Sequence, residues 1–209
     1  MVAEAAAAGV AIELLVLREG ETSDVRAEQT VTFSRGLFAE VSHTEPPQGV
    51  IAIARAAEST PAEAISAARA RAWPLVVLDR IQDPGNVGAI SRTAAAAGAP
   101  ALVALPGTAD PFGEKAVRSS AGNVFRLVVA RAGWDDLAGL DGYGAAATGG
   151  MRLDTAPIEN AGMIVLGSEA HGLSRSDLPL VTIPSGIESL NVAAAAAVLL
   201  FEIRRRKAA

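Results

Sequence analysis

The sequence predicts an α/β fold in which a mostly parallel sheet, covered by helices on both faces, follows a small α/β domain. Short, continuously apolar segments recur after residue 75, and helical segments separate most of them. A change in composition near residue 70 sets the first third of the chain apart. Strands buried on both faces read as unbroken apolar runs, so their alternation with helices is typical of a parallel sheet.

Residues 1–70 are predicted to form the small domain and a linker helix. Strand-like runs occupy residues 11–17 and 49–54. Paired prolines in "EPPQG" preclude a helix between these runs. The linker helix is predicted within residues 57–73, with Ser59 or Thr60 as its cap and Pro61 in its first turn.

Residues 71–209 are predicted to form the second domain. Its strand candidates are residues 75–79, 101–105, 126–130, 143–148, 163–167 and 180–184. Its helix candidates are residues 87–97, 114–121, 134–140 and a last helix from about Ser189. Ligands of parallel sheets bind beyond the carboxyl ends of the strands. The segments that follow these ends are the loop "IQDPGNVGAISRT" at 81–93, the turn after Thr148, and residues 167–172 and 183–191.

Composition narrows the chemistry. With no cysteine among 209 residues, the chain has no disulfide, zinc–thiolate site or thiol nucleophile. The two histidines, His43 and His171, are too few for a convincing metal site and are predicted to be loop residues, so we expect no metal. A net charge of −5 disfavours nonspecific coating of nucleic acid but allows a local basic patch. The apolar run at 192–201 is too short to span a bilayer, and we expect a cytoplasmic protein without a membrane partner.

The segment "GYGAAA" at 142–147 fits the G-x-G-x-x-A fingerprint of dinucleotide-binding folds. That fingerprint requires a strand before the glycines, whereas the preceding "WDDLAGLDG" is polar. A nicotinamide site is therefore a weak alternative.

The loop at 81–93 combines a helix start with two glycines. Asp83 or Asn86 can cap the helix, and Gly85 and Gly88 allow a partner to approach the backbone closely. The amino end of a helix attracts anions, so a phosphate is a reasonable neighbour. Arg92, farther along the helix, is either an ordinary solvated arginine or a functional one.

The other two polar segments also allow two interpretations. In "IVLGSEAHGLS" at 164–174, Gly167 and Glu169 form either a plain strand exit with a solvated carboxylate or a surface for a flat ring and a cation. In "IPSGIESLN", Ser189 and Asn191 either cap the last helix or line a ligand site. Ser189 is not a hydrolase nucleophile, because the G-x-S-x-G motif is absent. The alanine run after it suits close packing at a sheet or a dimer contact.

Taken in order, "DRIQDPGNVGAISRTAAAAG", "IVLGSEAHGLS" and "IPSGIESLNVAAAAAVLLFE" resemble the motifs of the SpoU/TrmH family of RNA 2′-O-ribose methyltransferases, within the SPOUT superfamily. The resemblance covers about residues 73–206. The first 70 residues are similar to the ribosomal-protein-like RNA substrate-binding domain that often precedes the methyltransferase domain.

This resemblance implies a carboxyl-terminal trefoil knot, which physical reasoning alone would not suggest because knots are rare in proteins. It also implies S-adenosylmethionine as the cofactor, bound bent inside the knot. The implied partners are structured RNA, either rRNA or tRNA, and a second copy of the chain in an obligate homodimer whose active site draws on both subunits.

The resemblance also assigns roles to residues. The implied catalytic residues are Arg92, Asn86, Glu169, Ser189 and Asn191. The implied cofactor-binding residues are Thr148, Gly149, Leu166, Gly167, Gly172, Ile183 and Leu190. Arg92 and Arg118 are the candidate RNA contacts, although Arg118 could equally be an ordinary surface arginine. The closing "RRRK" at 204–207 is predicted to be a solvated tail, with an RNA contact as the alternative.

One alternative of a different class stays open. The turn at 183–191 is shorter than the family's usual turn and lacks its methionine, and the first domain lacks the usual opening strand. These departures motivate a catalytically impaired RNA-binding dimer of the same fold.

Overall fold

The computed structural model describes residues 1–42, 48–168 and 170–208. The chain divides into two compact units, Met1–Ala57 and Glu58–Ala209. The division precedes the linker helix, so it differs from the predicted boundary near residue 70. Three expectations, for His43, for the paired prolines Pro46 and Pro47, and for Glu169, concern residues outside the described ranges.

The first unit contains a small sheet. Its elements are α1 (Val2–Ala7), β1 (Ala11–Arg18), β2 (Gln29–Phe33), α2 (Arg35–Val41) and β3 (Val50–Arg55). β1 lies between β2, to which it is parallel, and β3, to which it is antiparallel. β2 was not predicted because "QTVTF" is polar and largely exposed, as suits an edge strand.

The second unit is the larger one. Its strands are β4 (Leu75–Asp79), β5 (Ala101–Ala104), β6 (Val128–Arg131), β7 (Gly142–Ala146), β8 (Met151–Arg152), β9 (Met163–Gly167) and β10 (Leu180–Thr182). Its α-helices are α3 (Pro61–Ala70), α4 (Pro84–Ala97), α5 (Glu114–Ser119) and α6 (Val192–Lys207). Short 3-10 helices span Asn123–Arg126, Asp135–Leu137 and Ile158–Asn160.

Within the described residues, these strands form one sheet in the order β6-β5-β4-β9-β7-β10-β8, and every pairing is parallel. Alternate residues of β4 face opposite sides: Val76 packs in a core with α4 and α6, and Val77 packs in a core with α3. The predicted mostly parallel α/β sheet with two covered faces is confirmed. Because α3 packs on β5 and β6, the linker helix belongs to this unit.

Side-chain caps fix where the helices begin. The carboxylate of Asp83 accepts a hydrogen bond from the Gly85 amide at 3.0 Å, so Asp83 caps α4 and Asn86 lies inside its first turn. Asn191 caps α6, because its side-chain oxygen accepts from the amide of Ala193 at 3.0 Å. The last helix thus begins at Val192, three residues after the predicted start near Ser189, and of the two residues offered as caps Asn191 is the one that caps it.

Two further predictions need correction. Residues 134–140 form only the short 3-10 helix, since Gly139 adopts a left-handed φ of +80° soon after it. The closing basic segment is not simply solvated. Arg206 is partly buried and contacts Glu159 at 3.0 Å, while Arg204 donates to the carbonyl of Ala96 at 2.5 Å. These arginines fasten the end of α6 to its neighbours.

Candidate active site

A cavity of about 460 Å³ lies at the carboxyl ends of β7, β9 and β10 and the amino end of α6. This edge is where a parallel sheet is expected to bind ligands, and the volume suits a small organic molecule. Its wall combines apolar side chains with hydroxyl groups, among them Leu166, Ile183, Val192 and Ser176. The arrangement can hold a ligand that is largely apolar and carries a few polar groups.

Most of the residues predicted to bind a cofactor lie in this wall. The lining includes Thr148, Leu166, Gly167, Gly172, Ile183 and Leu190. Gly149 is the exception: its carbonyl accepts a hydrogen bond from the Thr182 hydroxyl. Ser189, predicted as catalytic, is also in the wall.

Gly167 permits a close approach of two backbone segments. A Cβ atom built on Gly167 would lie 2.7 Å from the carbonyl carbon of Gly172. Ser168 and Gly172 exchange two backbone hydrogen bonds, of 3.1 and 2.7 Å, so the chain forms a tight hairpin after β9. The glycine is thus required by the shape of this hairpin, whichever ligand it faces.

Asn86 and Asn191 meet although they belong to the first and third motifs. The Asn191 amide nitrogen donates to the Asn86 side-chain oxygen at 3.2 Å. The contact joins the amino ends of α4 and α6, next to Ser189 and Leu190 of the cavity wall. Neither asparagine is part of the wall itself.

Arg92 and Arg118 lie outside the cavity wall. Arg92 is exposed on α4 and makes no hydrogen bond or ion pair within the part of the chain that the structure describes. Arg118 is paired with Glu114, four residues earlier on α5. The cavity of this chain therefore contains no arginine predicted to be catalytic.

The two glycines of the first motif do not both serve a ligand. A Cβ atom on Gly88 would lie 2.2 Å from the backbone oxygen of Ala116, so this glycine allows α4 to pack against α5. A Cβ atom on Gly85 would meet only the Asp83 carboxylate. The expectation that both glycines allow a partner to approach is wrong for Gly88.

The carboxyl group of Asp83 has a lowered pKa. The ammonium group of Lys115 donates to its carboxylate at 2.8 Å, and together with the Gly85 amide this hydrogen bond lowers the pKa of Asp83. Asp83 is thus a charged cap at neutral pH, which suits the amino end of a helix.

Several wall residues were missed by sequence reasoning. They are Ala145, Ala146, Ser168, Leu173, Arg175 and Glu188. All of them lie within three positions of a predicted site residue, and their position near strand ends was the available signal. Trp134, whose ring lies 5.4 Å from the guanidinium carbon of Arg175, belongs to no motif and gave no signal.

The nicotinamide alternative does not fit the fold. Residues 142–146 of its fingerprint form β7, and no helix follows the glycines. A Cβ atom on Gly142 would lie 2.4 Å from the Met163 side chain, so this glycine serves strand packing. Among the described residues, no group of three or more metal-ligating side chains is placed to hold an ion, and no helix has the length and apolarity to cross a membrane.

Comparison with known proteins identifies the family. The model of the SpoU rRNA Methylase family matches residues 74–201. The chain belongs to this family. It is 35% identical to the 23S rRNA (guanosine(2553)-2′-O)-methyltransferase RlmP of Bacillus subtilis strain 168, over 94% of this chain and 82% of the relative.

Solved structures agree. The SpoU methyltransferase AviRb from Streptomyces viridochromogenes, in complex with the cofactor AdoMet, superposes with a TM-score of 0.82 at 26% identity, covering 100% of this chain and 88% of that one. An AdoMet-bound rRNA methyltransferase from Sinorhizobium meliloti gives 0.79 at 29% identity, covering 98% and 84%. The predicted family, methyltransferase class and cofactor of this chain are confirmed, and the catalytically impaired alternative is not favoured.

Proposed function

We propose that this chain methylates a ribose 2′-hydroxyl of rRNA, with a guanosine of 23S rRNA as the first substrate to test. The observation that carries the proposal is the contact between Asn86 and Asn191, which joins the first and third motifs beside the cavity. The similarity to the Bacillus subtilis enzyme along 94% of the chain supports this choice of substrate.

The cavity suits S-adenosylmethionine. The side chains of Ile183 and Leu190 offer apolar contacts for its ring and aliphatic parts, and Thr148 and Ser189 offer hydroxyl groups. The hairpin closed at Gly167 and Gly172 presents backbone that a flat ring can lie against. When bound, the cofactor supplies an electrophilic methyl group.

The protein's contribution to the reaction is to stabilise charge on the ribose oxygen. A ribose hydroxyl is a weak nucleophile at neutral pH and needs such help. Arg92 is proposed to supply it as a permanent cation, since a guanidinium group stays protonated in proteins and is therefore unsuited to accept a proton. Asn86 and Asn191 would hold the ribose, Ser189 would complete the pocket, and Glu169 would position its loop. Arg118 is proposed to contact RNA phosphate.

A homodimer is proposed to bring Arg92 to the cavity of the partner subunit. Helices α4 and α6 lie side by side, joined by the two asparagines at one end and by Arg204 to Ala96 at the other. On α6, Val198 is 42% and Phe201 is 47% exposed, so this helix offers two large apolar side chains to a partner. Burial of this face in a dimer would explain why it is apolar. The same dimer would explain why Arg92, on the neighbouring α4, lies outside the cavity wall of its own chain.

A trefoil knot is also proposed. β10 lies between β7 and β8, which precede it and are joined by the short arc 147–150. This arc approaches the first residue of β10 closely, because a Cβ atom on Gly150 would lie 2.3 Å from the Leu180 carbonyl oxygen. A path of the chain beneath this arc would thread it through a loop, as the proposed knot requires, and the strand order supports the proposal.

The first unit, Met1–Ala57, is proposed to select the RNA in the cytoplasm. Its test is the fragment 58–209, which should bind S-adenosylhomocysteine as the whole chain does but should bind rRNA weakly. Equal RNA binding by the fragment and by the whole chain would contradict this role.

The main experiment measures transfer of labelled methyl groups to rRNA and tRNA from cells that lack the protein. We expect incorporation into rRNA, at a ribose that can then be mapped. Arg92→Ala should lower the rate by about 100-fold, as removal of one oxyanion contact does, whereas the exposed Arg71→Ala should not. No incorporation by the wild type, with RNA binding retained, would favour the RNA-binding dimer. Incorporation into tRNA alone would show that the substrate is tRNA and would contradict the proposal of rRNA.

A further inference from the structure

Asp79 is a buried carboxylate that the proposed reaction does not use. It ends β4, and only 1% of it is exposed. One carboxylate oxygen accepts a hydrogen bond from the Ser174 amide at 2.5 Å, and the other accepts from the Ser174 hydroxyl at 2.9 Å. A carboxylate out of contact with water depends on such partners, so Asp79 strongly favours this position of Ser174.

The same serine connects to Trp134. The indole nitrogen of Trp134 donates to the Ser174 hydroxyl oxygen at 2.9 Å. The guanidinium carbon of the next residue, Arg175, lies 5.4 Å from the centre of the Trp134 ring, and Asp177 pairs with this guanidinium at 2.7 Å. Arg175 lines the cavity, so two hydrogen bonds at Ser174 and one cation–ring contact connect Asp79 to the cavity wall.

Arg80 also contacts the segment 172–175 that contains Ser174. Its φ of +58° is in the left-handed region, which a residue with a side chain rarely adopts. From there its side chain reaches the carbonyl of Gly172 at 3.5 Å and lies 3.6 Å from the Asp79 carboxylate. Two consecutive residues at the end of β4 thus both contact the segment that forms the wall.

We propose that Asp79 is a positioning residue for the cofactor: through Ser174 and Trp134 it fixes the wall formed by Gly172, Leu173 and Arg175. The inference rests on the proposed function, in which this cavity holds S-adenosylmethionine. Asp79 touches no substrate. It acts by keeping the wall in its binding conformation before the cofactor arrives, so its loss should weaken cofactor binding more than it slows the chemical step.

The experiment uses the full chain with Trp73→Phe, which leaves Trp134 as its single tryptophan. The Trp73 indole nitrogen has no hydrogen-bond partner within the described residues, so this change removes no such contact. Ser174→Ala is the test variant, Ser174→Thr is the conservative rescue, and Asp79→Asn is a second variant. The measurements are the Kd of S-adenosylhomocysteine, kcat, the KM values of cofactor and rRNA, and Trp134 emission.

For Ser174→Ala we expect the Kd and the cofactor KM to rise about tenfold, because the variant loses both hydrogen bonds of the Ser174 hydroxyl, to Asp79 and from Trp134. We expect kcat and the rRNA KM to stay within about twofold of the parent. Trp134 emission should respond to S-adenosylhomocysteine in the parent and in Ser174→Thr but not in Ser174→Ala. If Asp79→Asn does not fold, the serine variants alone decide.

The outcomes separate this inference from the function on which it rests. A parent protein that does not bind S-adenosylhomocysteine would contradict the proposed cofactor site. A parent that binds it, with Ser174→Ala binding equally well, would overturn the positioning role alone. An equal fall in kcat and in cofactor affinity would also overturn it, because that result indicates general damage to the fold.

Discussion

The side-chain amide of Asn191 donates a hydrogen bond to the side-chain oxygen of Asn86 across 3.2 Å, between residues 105 positions apart. Asn191 also caps α6, and Asn86 lies in the first turn of α4. One contact therefore fixes the amino ends of two helices beside the cavity. The Asn191 side chain thus has a structural role, as the cap of α6, and a proposed role in catalysis through Asn86. Substitutions of Asn191 can separate these two roles.

Asn191→Asp should preserve folding and impair methyl transfer. Aspartate caps a helix as well as asparagine does, so the free energy of unfolding should change little, but it cannot donate to Asn86. Asn191→Ala removes both functions and should also destabilise the protein by about 1 kcal/mol. Urea denaturation and the methyl-transfer rate measure the two effects. Full activity of Asn191→Asp would show that the contact is only structural.

Mixing Arg92→Ala with a variant whose cofactor site stays largely empty at the cofactor concentration used should restore activity if Arg92 serves the partner's cavity. In a mixed dimer of Arg92→Ala and a cofactor-site variant such as Gly167→Ala, one site keeps an intact cavity and receives an intact arginine. Random exchange of subunits should recover about a quarter of the wild-type sites. Each variant incubated alone is the control. No recovery in a demonstrated mixed dimer would mean that Arg92 acts within its own chain.

Gly167→Ala should weaken cofactor binding strongly. The new Cβ atom would lie 2.7 Å from backbone atoms of Gly172, so the hairpin in the cavity wall must open. We expect the Kd of S-adenosylhomocysteine to rise at least about tenfold by calorimetry. Gly186→Ala is the matched control, since a Cβ atom there meets nothing within 4 Å. Similar affinities of the two variants would contradict this account of the hairpin.

Gly88→Ala should destabilise the fold rather than remove a ligand contact. Its Cβ atom would lie 2.2 Å from the Ala116 backbone oxygen, which forces α4 and α5 apart. We expect a loss of about 2–3 kcal/mol in the free energy of unfolding. Gly85→Ala, where the nearest group is the movable Asp83 carboxylate, should change stability by less than about 1 kcal/mol. Equal effects would mean that helix packing does not explain Gly88.

Glu202→Gln should reduce stability in a pH-dependent way. Hydrogen bonds from Arg205 and Arg206 lower the pKa of Glu202 from 4.5 to about 2 in the folded protein. The charged form thus stabilises the fold fully above pH 4.5, and this contribution disappears as the pH falls from 4.5 towards 2. Unfolding of both proteins should differ at neutral pH and converge across that range. A constant difference would exclude ionisation of Glu202 as its source.

The sequence by itself determined the sheet, the helices that cover it and the family. Strands such as "LVVLD" are apolar throughout because both faces are buried, and helix limits such as Gly98 depend on neighbours in sequence. These signals depend only on residues that are close in sequence. The order of the three motifs additionally indicated the family. The edge that holds the cavity followed from the same pattern, because parallel strands share one carboxyl end.

Only the tertiary structure decided which side chains meet. Asn86 contacts Asn191, Gly88 faces α5 and Ser174 links Asp79 to Trp134 because of strand order and helix packing, which local periodicity does not encode. The same is true of Arg206, whose apparent place in a basic tail concealed its contact with Glu159. The apolar pattern of a sequence predicts which residues are buried. Which side chain each residue contacts depends on how segments that are distant in sequence pack together.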